Sequence, residues 1–213
     1  MAVSAVGRFI TLEGGEGAGK STQIRLLAEA LRARGRDVET SREPGGSPGA
    51  EAIRKLLVEG PADAWDAATE ALLMFAARRD HVERTILPAL RRGVWLVCDR
   101  FADSSMAYQG HAQGWGPARI DALHTLVLGG FKPDLTIILD LPVEIGLARA
   151  AGRAGKEDRY ERLGLAFHRK VRDAFKAIAA AEPARCALVD ADRPVDDVHA
   201  AILGLVESRL GAA

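Results

Sequence analysis

The sequence predicts an α/β protein, a five-stranded parallel sheet flanked by helices on both faces. Five short apolar runs, at 9–12, 38–40, 94–98, 135–139 and 186–189, alternate with long Ala-, Leu-, Glu- and Arg-rich stretches of helical spacing. Strands separated by helices of that length form βαβ units, whose strands run parallel. The runs are apolar almost throughout, as in strands covered on both faces. Helix punctuation agrees. Gly35 suits the position just past a helix over 20–34. Residues 70–92 read as one long amphipathic helix, kinked at Pro88 and closed by Gly93. Pro117 and Pro194 suit the first turns of two later helices. No internal repeat or linker divides the chain, so residues 1–213 read as a single domain.

Composition narrows the function. The 213 residues are 48% apolar and 27% charged, with 29 basic and 29 acidic residues. That size buries a full core without disulfides or metal. The zero net charge argues against a nucleic-acid or membrane-surface binder. No apolar run approaches the length of a membrane span, and the start does not read as a signal peptide, so a cytoplasmic protein is expected. Cys98 and Cys186 sit in apolar runs and read as buried, unpaired thiols.

Gly14-Gly15-Glu16-Gly17-Ala18-Gly19-Lys20-Ser21, followed by Thr22, matches G-x-x-x-x-G-K-[ST] between a strand and a helix. The glycines let successive N–H groups curl around phosphate oxygens, and the helix N-terminus adds partial positive charge. Lys20 is placed to reach the β- and γ-phosphates and Ser21 to ligate Mg²⁺. These residues predict a nucleoside-triphosphate site. The chain contains no asparagine, so the Asn-Lys-x-Asp guanine reader of GTPases is absent.

The run at 94–98 ends in Asp99-Arg100. An acid at the carboxyl end of a strand suits the Mg²⁺ shell opposite Ser21, and Asp140 after 135–139 is the competitor. Arg100 beside it favours Asp99, because a second cation at the phosphate site suits a second phosphorylated substrate.

Four further stretches carry a family resemblance. They are Phe9-Ile10-Thr11-Leu12-Glu13-Gly14; Arg42-Glu43-Pro44-Gly45-Gly46; Asp99-Arg100-Phe101 with Asp103-Ser104-Ser105-Met106-Ala107-Tyr108-Gln109-Gly110; and Lys132-Pro133-Asp134-Leu135-Thr136. From about residue 8 to about residue 207 the chain resembles the bacterial thymidylate kinases. The resemblance implies a P-loop nucleoside-monophosphate kinase fold, transfer of the γ-phosphoryl group of ATP to dTMP with Mg²⁺, and a homodimer. It puts Glu16 by the deoxyribose 3′-hydroxyl, Arg42 and Arg100 at the dTMP phosphate, Glu43 near the metal–phosphate centre and Arg54 at the monophosphate pocket. Ser105 and Gln109 would read the thymine edge, and Tyr108 would lie where a ribose 2′-hydroxyl projects.

The family sets a Phe four residues before a base-reading Arg. Here Phe75 precedes Arg78 by three and Arg79 by four, while Met74 precedes Arg78 by four. Phe75 with Arg78 is the expected pair, with Met74 and Arg79 the alternatives. Some members carry a basic residue where this chain has Gly17; those without it resemble a subtype whose lid supplies the cation. By its charge pattern the stretch 149–162, with five basic and three acidic residues, reads as a solvated turn between helices or as a flap, and the resemblance makes it that lid. Arg153 is the expected catalytic cation, Arg149 the residue over adenine or phosphates, and Arg159 a further candidate. The rival readings are a kinase of another nucleoside monophosphate and an ATP-binding module with no acceptor.

Overall fold

The computed structural model describes residues 7–151 and 159–211. Arg153 lies outside them. The elements run β1 (Phe9–Gly14), α1 (Lys20–Ala33), β2 (Val38–Arg42), α2 (Pro48–Val58), α3 (Ala67–His81), α4 (Leu87–Arg91), β3 (Trp95–Asp99), α5 (Ala102–Ser105), α6 (Pro117–Leu128), β4 (Leu135–Asp140), α7 (Val143–Ala151), α8 (Leu165–Ala181), β5 (Cys186–Asp190) and α9 (Val195–Leu210). The sheet is wholly parallel, in the order β2-β3-β1-β4-β5. The chain thus moves to one side of β1 for β2 and β3, then crosses to the other for β4 and β5. Ligands of open α/β sheets bind at such a reversal, outside the carboxyl ends of the strands.

Side-chain alternation explains the apolar runs. Ile10 and Leu12 face a core built with α1 and α9. Phe9, Leu96 and Cys98 face the opposite core, with α3, α4 and α6. Ile138 and Cys186 meet α8. Both faces are therefore covered, and both cysteines are buried and unpaired. Burial pushes the Cys186 thiol up to about 12.

Two local features differ from expectation. The segment read as one helix over 70–92 is α3, a π-helical stretch Val82–Ile86, and α4, with Pro88 in the first turn of α4. The irregularity thus falls in the turn before the proline, where widened backbone accommodates the missing N–H. Pro194 is the residue before α9 rather than part of its first turn. A second π-helical stretch, Met106–Ala112, carries Tyr108 and Gln109.

The phosphate loop is seated on α7 by two glycines. A Cβ on Gly17, whose φ is +67°, would collide with the Gly146 carbonyl. A Cβ on Gly146 would collide with the carbonyl of Glu16. Gly146→Ala is therefore expected to cost about 1–3 kcal/mol of stability by overpacking and to weaken ATP binding with it. A denaturation midpoint equal to wild type would show that the loop and α7 separate freely.

Candidate active site

A cleft of about 590 Å³ opens at the carboxyl edge of the sheet. The loop from Glu16 to Thr22 forms one wall, and Arg42, Arg54, Met74, Arg78, Ser105, Tyr108 and Gln109 line the rest, with Asp99 and Arg100 between. Gly19, with φ +92°, caps α1 and turns its N-terminus toward the cleft. Lys20 Nζ donates to the carbonyls of Gly15 at 3.0 Å and Gly14 at 3.3 Å. Burial, with Arg100 adding to it, pushes the Lys20 ammonium pKa down.

Arg100 is the hub. Its guanidinium donates to the Gly14 carbonyl at 3.0 Å, to Ser104 Oγ at 3.1 Å and to Glu16 Oε1 at 2.9 Å, and lies 5.2 Å from the centre of the Tyr108 ring. Tyr108 Oη donates to the same Glu16 oxygen at 2.8 Å. Burial alone would raise the Glu16 carboxyl. Arg100, then Lys20 and the tyrosine hydrogen bond, overcome it and hold the group near about 2. Glu16 is thus ionised throughout the neutral range.

Ser21 Oγ donates to Asp99 Oδ2 at 3.2 Å, so the hydroxyl and the strand-end carboxylate share one point at the helix N-terminus. Asp140, the competing acid, is instead held by Arg172 at 2.6 and 3.0 Å and by Lys176 at 3.3 Å, outside this cleft. Among the described residues no group of three or more His, Cys, Asp or Glu could hold a metal. A hydroxyl and a carboxylate are hard oxygen donors, and a cation held by so few protein ligands completes its shell with phosphate and water. That donor set fits Mg²⁺.

Several expected roles are changed by the geometry. Phe75 is buried in the core, edge-on to His124, and does not line the cleft. Met74 lines it instead, because one residue along a helix turns the side chain by about 100°. Phe75 packs beneath the reader: its ring centre is 4.6 Å from the Arg78 guanidinium. Arg79, bonded to the Val127 carbonyl and paired with Glu83, lies outside the cleft. Glu43 borders the cleft, and its carboxylate is bonded to Arg78 and His81. Oε2 accepts from Arg78 Nε at 2.7 Å and Oε1 is 3.0 Å from His81 Nδ1. His81 Nε2 in turn meets Ser41 Oγ at 2.7 Å. Arg149 is exposed on the last turn of α7, away from the cleft lining. Arg159 is buried outside the cleft lining, donating to the carbonyls of Leu57, Pro61 and Ala62 and paired with Glu70 at 2.6 Å. Arg42 is exposed and paired with Glu51, and Arg54 donates to the Pro44 carbonyl at 2.7 Å.

The sequence assigns no role to Glu13, Glu70 or His81. Glu13 had a signal, a carboxylate alternating with Thr11 inside an apolar strand. It accepts the Phe101 N–H at 2.6 Å, and its Oε2 lies 2.6 Å from Ser104 Oγ, so it holds the segment after β3.

A triphosphate-gripping loop that shares its cleft with a second recess, lined by arginines and amide and hydroxyl groups, defines a P-loop nucleoside-monophosphate kinase. The family model described as thymidylate kinase matches residues 12–202. The chain is similar to the thymidylate kinase of Caulobacter vibrioides, 60% identical over 96% of this chain and 98% of that one. It is also similar to that of Nitrobacter winogradskyi, 53% identical over 95% and 89%. The crystal structure of thymidylate kinase from Ehrlichia chaffeensis matches with a TM-score of 0.76 at 34% identity, covering 95% of this chain and 99% of that one. The chain belongs to the thymidylate kinase family, and its reaction is the phosphorylation of dTMP with ATP as donor.

Burial, with the neighbouring Asp103 carboxylate adding to it, pushes Glu13 from 4.5 up to about 8. Between those values the unfolded chain gives up the proton while the native state keeps it, so stability falls as pH rises through that window. Glu13→Gln can keep both contacts without a titrating group. Urea titrations from about pH 5 to about pH 8 are expected to show a shallower loss for the variant. Parallel curves for the two proteins would place the buried proton elsewhere.

Proposed function

We propose that the cleft holds ATP and dTMP end to end, with the loop from Gly14 to Thr22 gripping the donor and the recess from Arg42 to Gln109 gripping the acceptor. The observation that carries this reading is that one continuous cleft is lined by both groups of residues. Ser21 and Asp99 are the protein ligands for Mg²⁺. When bound, Mg²⁺ neutralises charge on the phosphates. Lys20 binds the β- and γ-phosphates. Arg100, with Arg42 and Arg54, holds the dTMP phosphate facing the donor. Glu16 and Tyr108 take the sugar side, Glu16 at the 3′-hydroxyl and Tyr108 where a 2′-hydroxyl would collide. Met74 lies against the base.

Arg78 reads the base. Its Nε is held by Glu43 and its Nη2 by the Phe101 carbonyl and Ser105 Oγ, while its buried Nη1 has no hydrogen-bond partner. A buried donor left unpaired costs about 1–3 kcal/mol. Thymine O4 is the acceptor that satisfies it.

The chemistry needs alignment and charge neutralisation rather than a general base, since the acceptor oxygen is already ionised near neutral pH. A dTMP phosphate oxygen bonds to the γ-phosphorus as the bond to the β–γ bridging oxygen breaks, giving dTDP and ADP. Segment 149–162 acts as a lid on the single domain, excludes water and brings in Arg153. We assign the protein to the cytoplasm. Its described helices include none long and apolar enough to cross a membrane, and its charge is balanced. We also assign it a homodimer. Leu72 on α3 and Leu126 on α6, 56% and 82% exposed, give these two helices apolar side chains to cover.

ADP release with ATP and Mg²⁺ is expected to be fast with dTMP, slower with dUMP, and slight with CMP, AMP, GMP or no acceptor. Turnover independent of the acceptor would overturn the two-substrate cleft. Arg153→Ala is expected to lower kcat by at least about 100-fold with little change in dTMP affinity, since a transition-state arginine is worth about 10³–10⁵ in rate. A kcat equal to wild type would remove Arg153 from the mechanism.

A further inference from the structure

Gln109 lines the cleft, yet it is only 1% exposed. Its Nε2 donates to Glu70 Oε1 at 2.6 Å, and Gln113 Nε2 donates to the same oxygen at 2.7 Å. A carboxylate offers only acceptors, so the amide nitrogen must face it and the amide oxygen must point away. That oxygen, Gln109 Oε1, is buried and has no hydrogen-bond partner. Glu70 itself is fully buried and outside the cleft lining. Arg159, pinned by three backbone carbonyls, lies 2.6 Å from its other oxygen and balances its charge.

Two residues that line the cleft therefore each hold a buried, unpaired polar atom, the donor Arg78 Nη1 and the acceptor Gln109 Oε1. The thymine edge carries the complement, the O4 acceptor beside the N3–H donor. Cytosine carries the reverse, an N4 amino donor beside the N3 lone pair. A free carboxamide could turn over and serve either base, because its two ends are nearly the same size. One held by a carboxylate cannot.

We propose that Glu70 is a positioning residue for base specificity. It locks the Gln109 amide with its acceptor toward the base, so that the pocket pairs with thymine N3–H and repels the cytosine N3 lone pair. This rests on the reading of the Arg78–Gln109 recess as the base pocket.

The test is the ratio of kcat/KM for dTMP to that for dCMP, in wild type, Glu70→Gln, Gln109→Met and the double variant. Glu70→Gln keeps the size but can donate as well as accept, so the Gln109 amide is released. The ratio is expected to fall at least about tenfold in each single variant, a loss of the order given by one hydrogen-bonded discrimination. The double variant is expected to fall no further than Gln109→Met, because Glu70 acts through Gln109. A merely structural Glu70 would slow both substrates alike. An unchanged ratio in folded Glu70→Gln, or losses that multiply in the double variant, would overturn the proposal. Should Glu70→Gln fail to fold with Arg159 left uncompensated, Glu70→Gln combined with Arg159→Met removes both charges, and the same ratio decides. A wild type that takes dCMP as readily as dTMP would instead overturn the base-pocket reading on which the proposal rests.

Discussion

The guanidinium of Arg100 ties together parts of the chain that sequence keeps far apart. It bonds the last residue of β1, the first polar side chain of the phosphate loop and a hydroxyl on α5, and it lies by the ring of Tyr108. The backbone bends to put it there: Arg100 is the only non-glycine residue with positive φ among those described, at +69°. That conformation costs an L-residue about 1–2 kcal/mol, and its retention at the end of β3 shows how strongly the surrounding bonds determine it. The electrostatics follow from this placement. Glu16, partly buried, stays ionised because Arg100 and Lys20 face it.

Around that hub the polar groups are layered. Glu13 holds the start of the segment that carries Ser104, and Ser104 supports Arg100. Behind it, Thr11 meets Thr136, and Asp103 is held by Thr136 and Arg185. On the other side Glu43 braces Arg78, and His81 braces Glu43. Arg78 and Arg100 are thus each aimed by a side chain that is itself held from behind. Preorganisation of this kind lets phosphoryl transfer proceed by positioning rather than by covalent participation.

Much of this was legible in the sequence. The five strands and their parallel direction follow from apolar runs spaced by helices, and the phosphate loop from glycine spacing between a strand and a helix. Arg100 and Asp99 were legible because a strand end fixes where they emerge. What was not legible depended on phase and on distant partners. Phe75 and Met74 are adjacent in an apolar run, and only the observed rotation of α3 decides which one meets the cleft. The π-helical turn at Met106–Ala112 shifts the phase again, just where Tyr108 and Gln109 are displayed. Glu70 and Arg159 are 89 positions apart in sequence, so neither announces the other. An isolated arginine in a charged stretch reads as a phosphate ligand until its buried partner is known.

The contact between Gly17 and Gly146 also bears on how such enzymes diverge. The loop position that carries a basic residue in some members is closed here by the carbonyl of α7, and its backbone adopts a conformation that disfavours any side chain. An arginine could not be introduced at Gly17 by one substitution. The helix would have to withdraw first, and until it did, the loop would be damaged. A side chain at this loop position and a closely seated α7 therefore exclude one another.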